Sequence, residues 1–154
     1  MSRGYFGLGL EGLSKPHNAG ALMRTAHAFG ASFIVAIGSS VNWRHVQQAD
    51  TSHTADQLPV YVHARWEDFT PPRKLRTVGI ELIEGSQNLL HDFRHPPFAL
   101  YILGPERGSL SPATVARCDA VVHIPTQFCV NVSIAGAIVM YDRMRTAGTW
   151  HPAG

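Results

Sequence analysis

Three polar segments of this chain have the residue types that a binding site needs. They span residues 16–30, 102–111 and 123–135 of 154, and each follows or overlaps the end of a predicted strand. Because ligands of α/β proteins bind at the carboxyl ends of strands, these segments are candidates for a common site. Each alone also fits a structural role, since Asn131 is well placed to cap a helix and Pro105 to form a turn. Their combination is therefore more informative than any one of them.

A glycine-rich match near the start of the chain is not a nucleotide-binding fingerprint. Residues 7–12 read GLGLEG, which fits G-x-G-x-x-G. That fingerprint needs a full strand before it, a helix opening at its last glycine and an acidic residue about 20 positions later. Pro16 stands where the helix should continue, and no Asp or Glu lies between Glu11 and Asp50. We therefore reject a dinucleotide site here.

The nine histidines and two cysteines raise the question of a metal site. His91 and His95 are four residues apart, but two prolines follow at once and the chain has neither H-E-x-x-H nor C-x-x-C. Cys118 and Cys129 stand alone in the sequence, so no disulfide framework is expected, which fits a reducing compartment. The spacing therefore predicts no metal site.

The elements that position the three segments alternate between strand and helix. Apolar runs predict strands at Tyr5–Leu10, Phe33–Ile37, Val60–His63, Thr77–Leu82, Phe98–Leu103 and Ala120–Ile124. Helical patterns lie at Asn18–Phe29, Trp43–Ala49, around Trp66–Phe69, Pro112–Arg117 and Asn131–Arg145. Asn18 is a plausible N-cap of the first helix, and Gly30 a plausible stop. The alternation predicts an α/β fold with a mostly parallel sheet and helices on both faces.

Two of the predicted helices, residues 18–29 and 131–145, are apolar around most of their circumference. Such a helix must be covered on several sides, and a domain of this size has little room for two central helices. We therefore predict a homodimer, in which a second copy covers them. Two core helices in a compact monomer are the alternative.

Together the three segments resemble the motifs of the SpoU (TrmH-like) branch of the SPOUT methyltransferases, and the resemblance runs from Pro16 to Asp142. The first segment matches P-x-N-x-G-x-x-x-R-T-A-x-x-F-G throughout. The second matches L-G-x-E-x-x-G-L-S, except that Ser109 stands where glycine is usual. The third matches I-P-M/T and N-V-S-x-A, with Cys129 and Val130 in place of Ser-Leu. The combination is specific to this branch.

The resemblance implies an α/β domain whose C-terminal segment forms a deep trefoil knot. It further implies S-adenosylmethionine as cofactor, a homodimer, and methylation of a ribose 2′-hydroxyl in RNA, for which tRNA is the expected substrate. Residues 1–154 are expected to form one domain without the separate RNA-binding extension that many relatives carry.

The family pattern also assigns residues to roles. Catalytic roles would fall to Asn18, Arg24, Glu106, Asn131 and Ser133. An arginine with a pKa above about 12 is a poor general base, so Arg24 is expected to hold the phosphate beside the target ribose and orient the hydroxyl. Asn18, Asn131 and Ser133 would hold Arg24 and the loops in place. The cofactor would contact Ile80, Leu82, Leu103, Gly104, Ile124, Pro125 and Val130. The RNA would contact Arg24 by the family pattern, while Arg3, Lys15 and Arg107 are further candidate phosphate contacts that the pattern does not assign.

Composition agrees with these expectations without deciding between them. The net charge is +2, and all but two of the 13 basic residues are arginine, a side chain that suits phosphate. No apolar run approaches the roughly 20 residues of a membrane span, and no signal peptide is visible, so a cytoplasmic location is expected. Two alternatives stay open: a SPOUT enzyme that methylates a base nitrogen, and a catalytically silent RNA-binding or assembly protein.

Overall fold

The computed structural model describes residues 4–50, 58–81 and 88–147. Its strands are β1 (Tyr5–Glu11), β2 (Phe33–Ile37), β3 (Val60–His63), β4 (Arg76–Ile80), β5 (Phe98–Leu103) and β6 (Ala120–Val122). Its α-helices are α1 (Pro16–Ala28), α2 (Trp43–Ala49), α3 (Pro112–Arg117) and α4 (Val132–Ala147). Two 3₁₀ helices lie at Trp66–Asp68 and Leu90–Asp92. None of the helices in these ranges is long and apolar enough to cross a membrane.

The six strands form one parallel sheet in the order β3-β2-β1-β5-β4-β6. All carboxyl ends therefore lie at the same edge. The connections leave β1 and β5 in opposite directions, so a crevice opens between these two central strands. The segments that follow β1 and β5 flank this crevice, which places two of the three polar segments side by side.

Alternating strand side chains supply two cores, one on each face of the sheet. Leu8, Ile34 and Tyr101 belong to the core that α1, α2 and α4 cover. Val35 and Leu100 belong to the other core, which residues of the Trp66 3₁₀ helix and of α3 cover. The predicted α/β fold, with a parallel sheet and helices on both faces, is confirmed.

The glycines of the GLGLEG run serve packing inside β1. A Cβ on Gly7 would lie 2.6 Å from the ring of Phe33, and one on Gly9 would lie 3.2 Å from Trp66. Both positions are in the strand, where no helix opens. The rejection of a dinucleotide fingerprint therefore agrees with the local structure.

The predicted cap of α1 is wrong, whereas its predicted stop is confirmed. The helix begins at Pro16, and Lys15 at the cap position makes no side-chain cap. Asn18 instead lies buried in the first turn. Gly30 has φ +82°, and its N–H donates to the His27 carbonyl, as a left-handed residue after a helix does.

Helix α4 packs closely on α1, which explains part of the apolar character of both helices. A Cβ on Gly136 would lie 2.7 Å from Leu22 Cδ2, so a glycine is needed at this crossing. The opposite side of α4 remains uncovered, because Ile134 is 52% and Tyr141 53% exposed. Packing within one chain thus accounts for one side of α4 only.

Candidate active site

A cavity of about 120 Å³ lies at the carboxyl ends of β4 and β5, beside the segment that follows β6. Its walls combine apolar side chains with the backbone of loop 104–111. The lining residues are Ile80, Glu81, Leu103, Gly104, Pro105, Glu106, Gly108, Ile124, Thr126, Cys129, Val130, Val132 and Ala135. Apolar walls with a few polar groups are the usual lining of a site for a small organic ligand.

Most of the predicted cofactor residues meet at this cavity. Those that line it are Ile80, Leu103, Gly104, Ile124 and Val130. Pro125 does not line it, although Ile124 and Thr126 on either side do. Leu82 lies outside the described residues.

The sequence analysis missed Glu81, which holds the loop that forms one wall. Its Oε2 accepts from the N–H of Leu110 at 2.6 Å. The loop therefore folds back over β5, and a Cβ on Gly104 would lie only 3.2 Å from that Leu110 nitrogen. The absence of a side chain at Gly104 thus allows the loop backbone to approach closely. No local sequence signal marks Glu81, since its partner is 29 residues away.

A second carboxylate, Glu106, joins the same loop to the start of α1. Its oxygens accept from the N–H groups of Ser14 and Lys15, at 3.1 and 2.7 Å, and from the Asn18 side chain at 3.4 Å. Burial raises the pKa of Glu106, but the backbone N–H donors and Asn18 outweigh it and hold the pKa below its ordinary value. Glu106 therefore acts as an ionised clamp between loop 104–111 and the start of α1.

Asn131 joins the third segment to the same network. Its Nδ2 donates to Asn18 Oδ1 at 3.1 Å, while its own Oδ1 accepts from the N–H and hydroxyl of Ser133. Asn131 thus caps α4 and contacts the first segment at the same time, so its structural and functional interpretations are compatible. Asn18, Glu106, Asn131 and Ser133 are brought together as predicted.

Arg24 stands apart from this network. It is exposed and lies six residues beyond Asn18, about 9 Å along α1 and on another side of it. Within the described residues it makes no hydrogen bond or ion pair, so the expectation that Asn18, Asn131 and Ser133 hold it is not met within one chain. Lys15 and Arg107 are also exposed. Arg3 lies outside the described residues.

A third carboxylate, Glu11 at the end of β1, holds the far end of loop 104–111. It accepts from the N–H of Ser111 at 2.7 Å, from the Trp66 indole at 3.0 Å, and from the Thr114 hydroxyl. Burial raises the pKa of Glu11, yet these donors together hold it below its usual value. Loop 104–111 is therefore fixed by carboxylates at several points along its length.

His95 is buried in the protein interior, where both of its ring nitrogens form hydrogen bonds. His95 contacts the Tyr101 hydroxyl at 2.6 Å and Asp142 at 2.7 Å, and its side chain is 1% exposed. Arg143 donates to the Tyr101 hydroxyl and to the carbonyls of the loop before β5. In the described ranges no group of three His, Cys, Asp or Glu side chains could hold a metal ion.

The model of the SpoU rRNA Methylase family matches residues 6–141 of this chain. The chain belongs to this family. The match includes all three polar segments and every described residue of the network, and it confirms the resemblance seen in the sequence.

One relative and two solved structures show how far the likeness extends. The 23S rRNA (guanosine-2′-O-)-methyltransferase RlmB of Blochmanniella floridana is 30% identical over 88% of this chain, which spans 56% of that protein. The AdoMet-bound rRNA methyltransferase from Sinorhizobium meliloti is 22% identical with a TM-score of 0.81, over 94% of this chain and 57% of that one. A structure described as giving insights into 2-OH methylation of C/U34 on tRNA is 19% identical with a TM-score of 0.78, over 96% and 94%. The two structures share the fold.

Proposed function

We propose that this chain transfers a methyl group from S-adenosylmethionine to a ribose 2′-hydroxyl of RNA, and that the RNA is a tRNA. The observation that carries the proposal is the joining of the three family motifs through Glu106, Asn18 and Asn131 beside one apolar cavity. Membership of the SpoU family supports the reaction type. A structure that concerns 2-OH methylation of C/U34 on tRNA shares the fold over 96% of this chain and supports the substrate class; the name of the RlmB relative makes rRNA the competing substrate.

The apolar side chains and backbone groups that line the cavity suit the adenosine part of the cofactor. Ile80, Leu103, Ile124 and Val130 would pack against the adenine, and the backbone around Gly104 would supply polar contacts. S-adenosylmethionine, when bound, supplies an electrophilic methyl group. Because carboxylates already fix loop 104–111, ordering this wall on cofactor binding should cost little conformational entropy.

Arg24 would act on the RNA side. Its guanidinium has five donors and no partner among the described residues, so it is free to hold the phosphate beside the target ribose and to orient the 2′-hydroxyl. The guanidinium would position the substrate and stabilise charge, and the neighbouring phosphate can take up the hydroxyl proton. Lys15 and Arg107, exposed beside the cavity loops, would contact further phosphates, as would Arg3.

We also propose that the chain acts as a homodimer. The uncovered side of α4 presents Ile134 and Tyr141, with the half-buried Ile138 between them, and Phe128 in the neighbouring loop is 79% exposed. A second copy would cover this apolar surface. The remaining expectations (one domain over residues 1–154, a C-terminal trefoil knot, a cytoplasmic location) are part of the same proposal.

The experiment that tests the activity is transfer of a labelled methyl group from S-adenosylmethionine to bulk tRNA and, separately, to rRNA. We expect label in tRNA at an internucleotide bond that resists alkali, because a 2′-O-methyl group removes the hydroxyl that alkaline cleavage needs. Label in rRNA alone would overturn the substrate class, and label on a base would overturn ribose methylation. Absence of label in both RNAs, with intact cofactor binding, would favour the catalytically silent alternative.

A further inference from the structure

The outer surface of α1 and α2 carries exposed basic side chains and no acidic ones. Residues 12–49 contain Lys15, Arg24 and Arg44 together with three histidines, but neither Asp nor Glu. Lys15, Arg24 and Arg44 are exposed, as are His17 and His45. We refer to these five residues as the α1–α2 basic surface.

Lys15, Arg24 and Arg44 form no ion pair with any described residue, whereas several arginines elsewhere do. Among the described residues, arginines elsewhere form ion pairs as Arg65 with Asp68, Arg76 with Asp119, Arg117 with Glu67, and Arg145 with Asp142. Those pairs partly cancel the positive charge on other sides of the molecule. The α1–α2 basic surface keeps its charge, which favours a polyanionic partner.

The two helices lie side by side, so their outward side chains belong to one surface. The Leu13 carbonyl, just before α1, accepts from Ser39 Oγ at 2.9 Å and Ser40 N at 3.1 Å, just before α2. Further along, a Cβ on Gly20 would lie 3.9 Å from Val46 Cγ1. The buried sides of both helices contribute to the same core.

The basic surface is continuous with the candidate active site. Asn18, one turn from Lys15, donates to Glu106 and accepts from Asn131, so the start of α1 is a wall of the site. Helix α2 is the next element outward. An RNA strand that reaches the site along α1 would therefore pass over α2 with its flanking nucleotides.

The backbone that presents Arg44 is well fixed. Asn42 caps α2 by accepting from the His45 N–H at 3.0 Å, and the buried Trp43 donates its indole N–H to Ser39 Oγ at 3.2 Å. Arg44 and His45 lie between the buried Trp43 and Val46 and are held at the surface. A fixed backbone lowers the entropic cost of using these side chains in binding.

We propose that Arg44, assisted by His45, binds backbone phosphates of the RNA that flank the target nucleotide. This inference rests on the proposed RNA methyltransferase function and extends its substrate surface beyond the family motifs. Since phosphates carry no sequence information, Arg44 would add affinity for RNA of any sequence, while the choice of nucleotide would be made elsewhere.

The test compares Arg44→Glu with a matched control, Arg73→Glu, in the full chain. Arg73 is exposed, has no ion pair among the described residues and precedes β4, so it lies at the opposite, amino edge of the sheet. Both variants change the net charge equally. Binding of tRNA is measured at several salt concentrations, together with KM and kcat for methyl transfer and the Kd for S-adenosylmethionine.

We expect the Kd of Arg44→Glu for tRNA to rise roughly three- to tenfold, with a salt dependence shallower by about one ion. KM for tRNA should rise with it, while kcat and the Kd for S-adenosylmethionine stay at wild-type values and Arg73→Glu behaves as wild type. Wild-type tRNA affinity in Arg44→Glu, or equal losses in both variants, would overturn the inference and leave the methyltransferase function standing. A wild-type protein that binds S-adenosylmethionine but neither tRNA nor rRNA would overturn both.

Discussion

The two sides of the candidate active site are built differently. On the cofactor side, Glu11, Glu81 and Glu106 fix loop 104–111, and Asn131 ties the third segment to α1. On the RNA side, Arg24 projects into solvent with no partner in the described part of the chain. Under the proposed function, this contrast means that the cofactor pocket is preformed, whereas the RNA contacts are completed by the substrate. Variants on the two sides should therefore separate cofactor binding from methyl transfer.

The largest effect is expected on the RNA side, at Arg24. Arg24→Ala should lower methyl transfer by roughly 100-fold or more, because the guanidinium that orients the reacting hydroxyl is lost. Cofactor affinity should not change, since Arg24 does not line the cavity. Labelled methyl transfer and calorimetric titration of S-adenosylmethionine measure the two quantities. The control Arg73→Ala should keep both, and a loss of cofactor affinity in Arg24→Ala would contradict the separation.

On the cofactor side, Glu106→Gln should reduce cofactor affinity about tenfold and the free energy of unfolding by about 1 kcal/mol. The amide keeps one acceptor but turns an NH₂ group toward the N–H groups of Ser14 and Lys15. Calorimetric titration and urea unfolding measure these changes. Glu67→Gln, which breaks an exposed ion pair with Arg117, is the control and should change neither quantity appreciably. Unchanged affinity in Glu106→Gln would show that the loop does not depend on this clamp.

The uncovered stripe of α4 should decide the oligomeric state. The wild type should sediment as a dimer in sedimentation equilibrium. Ile134→Glu should sediment as a monomer, because it places a charge beside Ile138 and Tyr141. Gln48→Glu, an equal charge change on the exposed side of α2, should remain dimeric. A wild-type protein that sediments as a monomer at micromolar concentration would contradict the proposed assembly.

The smallest effect concerns the buried cluster of His95, Tyr101, Asp142 and Arg143, none of which lines the cavity. Burial lowers the pKa of His95 below 6.5, although Asp142 opposes the shift. The unfolded chain therefore binds a proton more readily than the folded one, and stability should fall as the pH falls through and below about 6.5. Urea unfolding between about pH 7.5 and 5.5 should show this slope, and His95→Gln should flatten it. An equal slope in both proteins would mean that other groups are responsible.

Much of the fold could be predicted from local patterns. The bounds of β2, β3, β5, α2 and α3 match the predicted ones because apolar runs and turn residues delimit these elements within the sequence itself. The start of α1 could not be predicted in this way. Glu106, which is 91 residues from Lys15, accepts from the N–H groups of Ser14 and Lys15 just before the helix, so no local pattern reveals that Asn18 is free for another role.

The candidate site shows the same division. Motifs brought Asn18, Glu106, Asn131 and most cavity residues together correctly, because the motif positions follow strand ends. The roles of Glu81 and Glu11 could not be predicted, because each contacts loop 104–111 only once the sheet has placed β4 and β1 beside it. Pro125 was assigned to the cavity through its motif alone, and its direction depends on a loop that the sequence does not specify.

The most direct test of a preformed cofactor pocket is calorimetric titration of S-adenosylmethionine into the wild-type protein and Gly104→Val, without RNA. A valine at position 104 would clash with the backbone of Leu110, where even a Cβ comes within 3.2 Å, and should displace the cavity wall. We predict saturable binding by the wild type at one site per chain and none by Gly104→Val, with the fold of both verified by thermal unfolding. A folded wild-type protein that binds no S-adenosylmethionine until RNA is added would contradict the account.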